Sequence, residues 1–286
     1  MIDEQVLVFY GLSLVIGLCV GSFINVIVYR LPRQLEAQWQ RDSRDFLGIP
    51  AEEHPPAQHQ FNIAFPASHC PKCGATLRAW HNIPLLSYVF LRGRCATCAE
   101  PISLQYPLVE AATGLAFVFV MMQFGLTAMG AYALLFSLLL LTLTAIDFRT
   151  QLLPDVLTYP LLWLGLIANT QGHFVDLQSA VFGAIAGYLS LWLIYWLFKL
   201  LTGKEGMGHG DFKLLAALGA WVGWQLLPLI VLLSSLVGAV IGVAMVLAMG
   251  RDKQLPMAFG PYLAIAGWIA LFWGEDIVAA YLGYLS

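Results

Sequence analysis

An aspartate that follows three closely spaced glycines stands at the threshold of a long apolar stretch. Asp211 comes directly after the alternating glycines Gly206, Gly208 and Gly210. An ionisable group at the edge of hydrocarbon is costly, so it indicates a functional site and needs a partner. Because glycines remove side chains from the backbone, we expect a substrate chain to approach this segment closely. The segment has no Gly-Lys-Ser/Thr ending, which argues against a phosphate loop.

Three further acids lie at the ends of apolar runs, at the same predicted depth as Asp211. They are Glu110, Asp147 and Asp155. Asp147 and Asp155 are joined by a short segment that ends in Pro154, and proline favours an extended or turned backbone before it. Two acids on different helices are therefore better placed to face each other than these two. Two adjacent carboxyls cannot both ionise easily, so one can activate water while the other protonates an amide. This is the chemistry of an aspartyl protease.

Structural roles are open for several of these residues. Asp155 precedes an apolar run and is suited to be a helix N-cap. Arg149 and Lys213 could neutralise the acids in ion pairs. His209 lies between two glycines, as expected of a loop residue, and a tuning role is the alternative.

Four cysteines form two Cys-x-x-Cys pairs, Cys70 with Cys73 and Cys95 with Cys98. The 21 residues between the pairs are one more than the usual gap of a four-thiolate zinc site. Two disulfides are the alternative, but they do not persist in a reducing cytoplasm. Four thiolates leave no open position, so we expect a structural zinc. Cys19 lies in an apolar run and is expected to pack.

The composition is that of a membrane protein. Hydrophobic residues make up 59% of the chain, charged residues make up 11%, and the mean hydropathy is +0.76. A soluble protein of this size could not bury so much apolar surface. The net charge of −3 and the scattered basic residues exclude a nucleic-acid partner. The lipid bilayer is the expected surrounding.

The elements that carry these residues can be located because a helix needs about 20 apolar residues to cross a bilayer. Four charge-free runs are each one helix long, and two longer runs are interrupted by turn residues and predict two helices each. We therefore predict an all-α polytopic membrane protein with about eight transmembrane helices. The single runs are 5–29, 156–175, 177–198 and 254–274, and the double runs are 111–146 and 214–250.

We divide the chain into three parts: a first helix (1–30), a zinc-binding cytoplasmic loop domain (31–106) and a seven-helix membrane domain (107–286). The start of the loop domain, through "EEHPPAQHQFN", is expected to be irregular. The first helix lacks the features of a removable signal peptide and is expected to be retained.

Orientation follows from lysine and arginine, which concentrate on the cytoplasmic side. With eight helices, all 14 of these residues fall on one side, in segments 30–106, 147–155, 199–213 and 250–257. We therefore predict that both termini are periplasmic and that the acids lie at the cytoplasmic face.

Several motifs together resemble the type IV prepilin peptidases, which are bifunctional bacterial leader peptidases and N-methyltransferases of the membrane aspartyl protease class. The similarity extends over essentially the whole chain. The motifs are "GSFINVIVYRLP" at 21–32, the paired Cys-x-x-Cys loop, "RGRC" at 92–95, "YPLVE" at 106–110, "DFRTQLLPD" at 147–155 and "GMGHGD" at 206–211.

The resemblance implies that Asp147 and Asp211 are the catalytic pair, whereas Asp155 matches a position without an assigned catalytic role. It implies that prepilins and pseudopilins of type II secretion are cleaved after the last glycine of their leaders. It also implies that the new N-terminus receives a methyl group from S-adenosylmethionine. The implied location is the inner membrane of a Gram-negative bacterium.

The resemblance places methyl transfer in the first helix and the loop domain. No Gly-x-Gly-x-x-Gly unit follows a strand, which excludes a soluble Rossmann methyltransferase. For Gly21 and Ser22 the alternative role is close helix packing. For Arg30 it is that of an orientation anchor, and for Glu110 it is that of an ordinary acid at a helix start. The matching positions are Gly21, Ser22, Asn25, Arg30, Pro32, Gly93 and Arg94, and Glu110 could hold the amine or the sulfonium.

Other classes of membrane protein explain less of the sequence. A transporter would place its acids near the middle of the membrane and would contain internal sequence repeats. No such repeats are evident in this chain. A zinc metalloprotease would need His-Glu-x-x-His, which is absent. A pilus assembly protein with a zinc module would explain the cysteines but not the acids.

Overall fold

The computed structural model describes residues 4–49, 62–204, 206–249 and 258–285. These residues are mostly helical, and they contain no β-strand beyond two isolated bridges, His69 with Thr76 and Arg94 with Pro101. The predicted all-α class is confirmed.

Helices occupy each of the eight predicted positions. The segment between the first two also contains a 3-10 helix (Ala79–Asn82) and the short helix α2 (Leu86–Phe90). The remaining helices are α1 (Glu4–Leu47), α3 (Gln105–Phe124), α4 (Ala128–Thr150), α5 (Asp155–Thr170), α6 (Leu177–Thr202), α7 (His209–Val222), α8 (Leu227–Met249) and α9 (Gly260–Leu285).

Six of these helices are long and apolar enough to cross a membrane, namely α1, α3, α4, α6, α8 and α9. Helices α5 and α7 have 16 and 14 residues, fewer than the roughly 20 that a full crossing needs. Helix α7 is buried from Asp211 to Val222, with Lys213 as the one partly exposed residue in this range. It is therefore surrounded by protein rather than by lipid.

Helix α1 is much longer than the apolar run that predicted it. It continues without a break to Leu47, with Pro32 inside it, so the expected irregular backbone is wrong for residues 31–47. This polar part is rich in Arg, Gln and Leu, which favour helix. Hydropathy marks where lipid ends and not where a helix ends. Most of "EEHPPAQHQFN" lies outside the described residues.

The described chain forms two compact units, residues 1–125 and 126–286. In the first unit, α1 packs along α3 through small residues. A Cβ at Gly17 would lie 2.8 Å from Cα of Gly114, and one at Gly21 would lie 2.8 Å from Cα of Glu110. The functional division at residue 106 stays a prediction.

In the second unit, α7 packs against α5, α6 and α9. Two buried side chains fix its C-terminal end: Trp221 donates to the carbonyl of Leu161 at 2.8 Å, and Asn169 donates to the carbonyl of Ala220 at 2.9 Å. Because α7 is held along its length, Asp211 at its start has a defined position.

Candidate active site and metal centre

Asp147 lies in the last turn of α4 and is buried. Its Oδ2 atom has no hydrogen-bond partner among the described residues. The start of α9 lies against this atom, since a Cβ added to Gly260 would be 2.6 Å from Oδ2. A buried polar atom without a partner is rare and asks for a functional explanation. Asp147 is therefore a candidate for the chemistry of this site.

Asp211 lies in the first turn of α7, three residues after the N-cap Gly208. Its carboxyl accepts a hydrogen bond from the backbone N–H of Gly208. An acid at this position commonly binds back to the N-cap residue, so local helix chemistry fixes the side chain. The glycines therefore lead into a helix start that presents a buried, oriented carboxyl.

The two acids come from different helices, as predicted, and their charges interact. Leu153, in the connection between α4 and α5, lies beside the segment that leads to Asp211 and beside the start of α9, which contacts Asp147. Its Cβ is 2.8 Å from where a Cβ of Gly210 would be, and its Cδ1 is 3.1 Å from the corresponding position of Gly260. The structure thus brings Asp147 and Asp211 into one buried site around Leu153.

The glycines of this segment only partly serve the expected purpose. Gly210 makes room for Leu153, and Gly206 faces Phe198, whose Cε1 would lie 2.9 Å from an added Cβ. The space at these two positions is therefore filled by the protein's own side chains. Next to Gly208 the only atom within 4 Å of an added Cβ is Oδ2 of Asp211, at 3.8 Å. Close approach of a substrate backbone remains available at that glycine.

Asp155 has a structural partner. Lys213 donates to its two carboxylate oxygens at 2.7 and 2.8 Å. Pro154 is the N-cap of α5 and makes no side-chain cap, so the expected N-cap role of Asp155 is wrong and the alternative of an ion pair is confirmed. The pair connects the start of α5 with α7.

His209 is the first residue of α7 and is exposed. Its ring lies 5.2 Å from that of Tyr195 and 5.4 Å from that of Phe212, measured between centroids. It is therefore a packed helix residue rather than a loop residue.

The four predicted metal ligands form one cluster. The Sγ atoms of Cys70, Cys73, Cys95 and Cys98 lie within 4.8 Å of one another, and those of Cys70 and Cys98 are 3.9 Å apart. No cysteine of the chain forms a disulfide. Zinc–sulfur bonds of about 2.3 Å place tetrahedral sulfurs about 3.8 Å apart. The cluster therefore fits a four-thiolate zinc site.

The two Cys-x-x-Cys turns have the same backbone pattern. The N–H of Gly74 binds the carbonyl of Cys70, and the N–H of Ala99 binds that of Cys95, at 2.9 and 3.0 Å. Both acceptor turns end in a residue with positive φ, +71° at Gly74 and +58° at Ala99. Lys72 of the first turn forms an ion pair with Glu100 beside the second. The sequence thus builds two matching halves of one site.

The thiol chemistry also fits a cation. Backbone N–H groups of Cys98 and Thr97 lower the pKa of Cys95 to about 6, which favours the thiolate that binds metals. The pKa of Cys98 shifts to about 11: the N–H of Glu100 opposes this rise, but desolvation and the neighbouring thiols outweigh it. Four clustered thiols resist full deprotonation unless a cation balances their charge.

The residues expected in methyl transfer all belong to the first unit. Glu110 of α3 is buried, and it interacts with the side chain of Ser22 and accepts the backbone N–H of Leu85 at 2.8 Å. Asn25 donates to the carbonyl of Tyr106 at 3.0 Å. A Cβ at Gly21 would lie within 3.1 Å of Thr113, so this glycine permits close helix packing.

Arg30 has a different environment. It is buried, and its guanidinium donates to the carbonyls of Asn62, Ile63 and Pro66 at 2.9, 3.1 and 2.6 Å. These contacts attach the start of the loop segment to α1. They favour a structural role over contact with a small molecule.

Gly93 and Arg94 lie between α2 and the second cysteine pair. Gly93 has a φ of +68°, and an added Cβ would lie 2.8 Å from the Tyr88 hydroxyl. Both the conformation and the nearby Tyr88 side chain therefore favour glycine there. Arg94 is exposed.

Comparison with known proteins assigns the chain to a family. Residues 15–124 match the model of the bacterial peptidase A24 N-terminal domain, and residues 134–243 match that of the type IV leader peptidase family. The chain belongs to the type IV leader peptidase family. The predicted function, prepilin cleavage followed by N-methylation, is confirmed at the level of this family.

Relatives of known name share nearly the full length. Prepilin leader peptidase/N-methyltransferases of Stutzerimonas stutzeri and Pseudomonas aeruginosa are each 54% identical over 278 residues, or 97% of this chain and 95% of the relative. That of Neisseria gonorrhoeae is 49% identical over 267 residues, or 93% of this chain and 91% of the relative. The comparison with solved structures finds no match.

Two residues of the candidate aspartate site were not found from sequence. Leu153 and Gly260 are ordinary residues in an apolar chain, and neither spacing nor charge distinguishes them. The isolated glycine that opens α9 is the one signal that could have indicated a close approach.

Proposed function

We propose that the chain is a prepilin and pseudopilin peptidase of the bacterial inner membrane that uses Asp147 and Asp211 as its catalytic pair. The observation that most supports this proposal is that both acids, which come from different helices, are buried in a single site where their charges interact. The matching motifs at 147–155 and 206–211 and the family membership support the same residues.

The proposed cleavage needs one carboxylate and one carboxylic acid. The carboxylate takes a proton from water as the water oxygen attacks the carbonyl carbon of the scissile amide. The carboxylic acid gives its proton to the amide nitrogen, the carbon–nitrogen bond breaks, and a free amine leaves. Burial excludes bulk water, and the unpartnered Oδ2 of Asp147 is available to the attacking water or the amide.

The site is proposed to lie at the cytoplasmic face, with both termini in the periplasm. The distribution of lysine and arginine supports this orientation. A prepilin would then present the junction between its leader and its hydrophobic helix at the depth of the two aspartates, with the leader in the cytoplasm.

We place methylation of the new amine in the first unit. S-adenosylmethionine, when bound, supplies a methyl group on a cationic sulfur. The buried carboxylate of Glu110 would hold a cation, either the sulfonium or the amine, and Ser22 fixes that carboxylate. Asn25, Gly93 and Arg94 complete the proposed region, whereas Gly21 and Arg30 act on the fold. Zinc held by the four cysteines would fix the loop segment and take no part in the reaction.

The test is mass spectrometry of a prepilin-like peptide incubated with purified protein, with and without S-adenosylmethionine. We expect loss of the leader, then a gain of one methyl group only with the cofactor. Asp147→Asn and Asp211→Asn should each abolish leader loss but retain methylation of a pre-cleaved peptide. Cleavage that survives in the double variant would overturn the assignment. An intact peptide with the unaltered protein in several lipids would favour a transporter or an assembly protein.

A further inference from the structure

The short helix α2 lies unusually deep for a part of a loop. Glu110 lies inside α3, which is long and apolar enough to span a membrane. At 1.5 Å per residue, it is about 7–8 Å along the helix from Gln105. Its Oε2 atom accepts the N–H of Leu85, the residue directly before α2, at 2.8 Å. Helix α2 therefore begins beside the membrane-spanning part of α3.

Further contacts hold α2 in this place. After α2, the carbonyl of Gly93 accepts the N–H of Ile102 at 2.7 Å, and Ile102 is in the segment that leads into α3. On the inner face of α2, buried Ser87 donates to the carbonyl of Trp80 at 2.6 Å. Both ends of α2 are thus tied to the structure around the start of α3.

The other face of α2 is apolar and uncovered. Leu86, Val89 and Phe90 are 54%, 70% and 80% exposed. Leu104 and Leu108, at the start of α3, are 64% and 65% exposed. Such a cluster of exposed large apolar side chains marks an interaction surface. It is continuous along the chain with the outer face of a membrane-spanning helix.

The charges next to α2 favour one occupant. Between Ile83 and Ala99 the charged residues are Arg92 and Arg94, and both are exposed. An amphipathic helix with apolar side chains on one face and basic residues beside it lies in the interface of anionic membranes. A second protein chain would need a larger area than five helical residues provide.

We propose that α2 is an interfacial anchor, whose side chains Leu86, Val89 and Phe90 insert between lipid headgroups in the leaflet at the Gln105 end of α3. Arg92 binds the anionic headgroups. The anchor holds the segment between α1 and α3 against the bilayer, whichever reaction the chain catalyses.

Depth-dependent fluorescence quenching tests the anchor on the full-length protein in vesicles of phosphatidylcholine and phosphatidylglycerol. A fluorescent noncanonical amino acid replaces Val89, or, as a matched control, exposed Thr97 of the second cysteine turn. We expect a nitroxide at the lipid headgroup to quench the reporter at position 89 severalfold more than the reporter at position 97. At position 89, the headgroup nitroxide should also quench more than a nitroxide in the middle of the acyl chain. Equal quenching at both positions would overturn the anchor.

Two further measurements separate the possible partners. Arg92→Gln should reduce the extra quenching that phosphatidylglycerol gives over phosphatidylcholine alone. A photo-crosslinking amino acid at Phe90 should attach to lipid. Attachment to a second copy of the chain instead would show that a protein interface covers α2, and the proposal would fail.

Discussion

Lys213, two residues after Asp211, binds both oxygens of Asp155, the residue at which the connection from Asp147 enters α5. The ion pair therefore ties together the two segments that carry the buried acids. It is partly exposed, with side-chain exposures of 27% for Lys213 and 48% for Asp155. We infer that it positions the acids and does not touch the reacting atoms.

Removal of this pair should affect cleavage more than stability. Partly exposed ion pairs contribute at most about 1 kcal/mol, whereas a misplacement of about 1 Å between catalytic groups can cost about a hundredfold in rate. We expect Lys213→Met and Asp155→Asn each to lower kcat for leader cleavage about tenfold or more, with a small change in Tm and unchanged methylation of a pre-cleaved peptide.

The reversed pair, Asp155→Lys with Lys213→Asp, checks this interpretation. It should recover part of the lost kcat, because the attraction between the segments is restored. A fall in kcat that matches the loss of folded protein, without recovery in the reversed pair, would show a structural role only.

Gly260 should tolerate no side chain. A Cβ at this position would lie 2.6 Å from Oδ2 of Asp147 and 3.1 Å from Leu153, so Gly260→Ala must displace an oxygen of the proposed catalytic pair. We expect cleavage to fall by about a hundredfold while methylation of a pre-cleaved peptide persists.

Gly283 is the matched control on the same helix, because an added Cβ meets nothing within 4 Å there. Gly283→Ala should leave cleavage unchanged and stabilise the helix by up to about 1 kcal/mol. Equal rates for both alanine variants would contradict the close approach of α9 to Asp147.

The helices, the cysteine cluster and the candidate acids could be selected from sequence because each has a local signal. Charge-free runs placed the eight helices, the paired Cys-x-x-Cys turns indicated one metal site, and carboxyls at helix ends stood out against an apolar chain. Each signal can be read without knowing which helices touch.

The supporting residues could not be predicted because their roles arise only from packing. Leu153 is one of many leucines until the fold places it against Gly210 and Gly260. The polar extension of α1 past residue 30 was missed because hydropathy reports lipid contact and not backbone conformation. The partner of Asp155 lies 58 positions away in sequence, so spacing alone did not select it over an N-cap.

Glu110 should separate the two reactions. Glu110→Gln keeps the shape of the side chain, and its amide oxygen can still accept the N–H of Leu85, but the charge that would hold a cation is lost. We expect methylation to fall by at least tenfold, since charged hydrogen bonds contribute about 1.5–3 kcal/mol, while leader cleavage is unchanged. Steady-state kinetics should show a higher KM for S-adenosylmethionine or for the peptide amine.

Glu100→Gln is the control for that change, since Glu100 is outside the membrane helices and forms an ion pair with Lys72. It should leave the KM values unaltered. If Glu110→Gln methylates normally, the carboxylate serves only to attach α2 to α3.

Zinc removal should loosen the segment between α1 and α3 and leave the aspartate site intact. We expect one zinc per chain by elemental analysis, because four thiolates with sulfurs 3.9 Å apart at Cys70 and Cys98 match a closed tetrahedral site. Cys95→Ser, or treatment with a strong chelator, should release the metal. Limited proteolysis should then cut between residues 62 and 104, and methylation should decline with the loss of metal.

Cys19→Ser is the control, because Cys19 lies on α1 away from the four-cysteine cluster. It should retain the full zinc content.

Leader cleavage by the zinc-free protein should persist, since both aspartates and their contacts belong to the second unit. A zinc-free protein that resists proteolysis as well as the loaded one would mean that the loop segment is stable without its metal, and the structural role of zinc would be wrong.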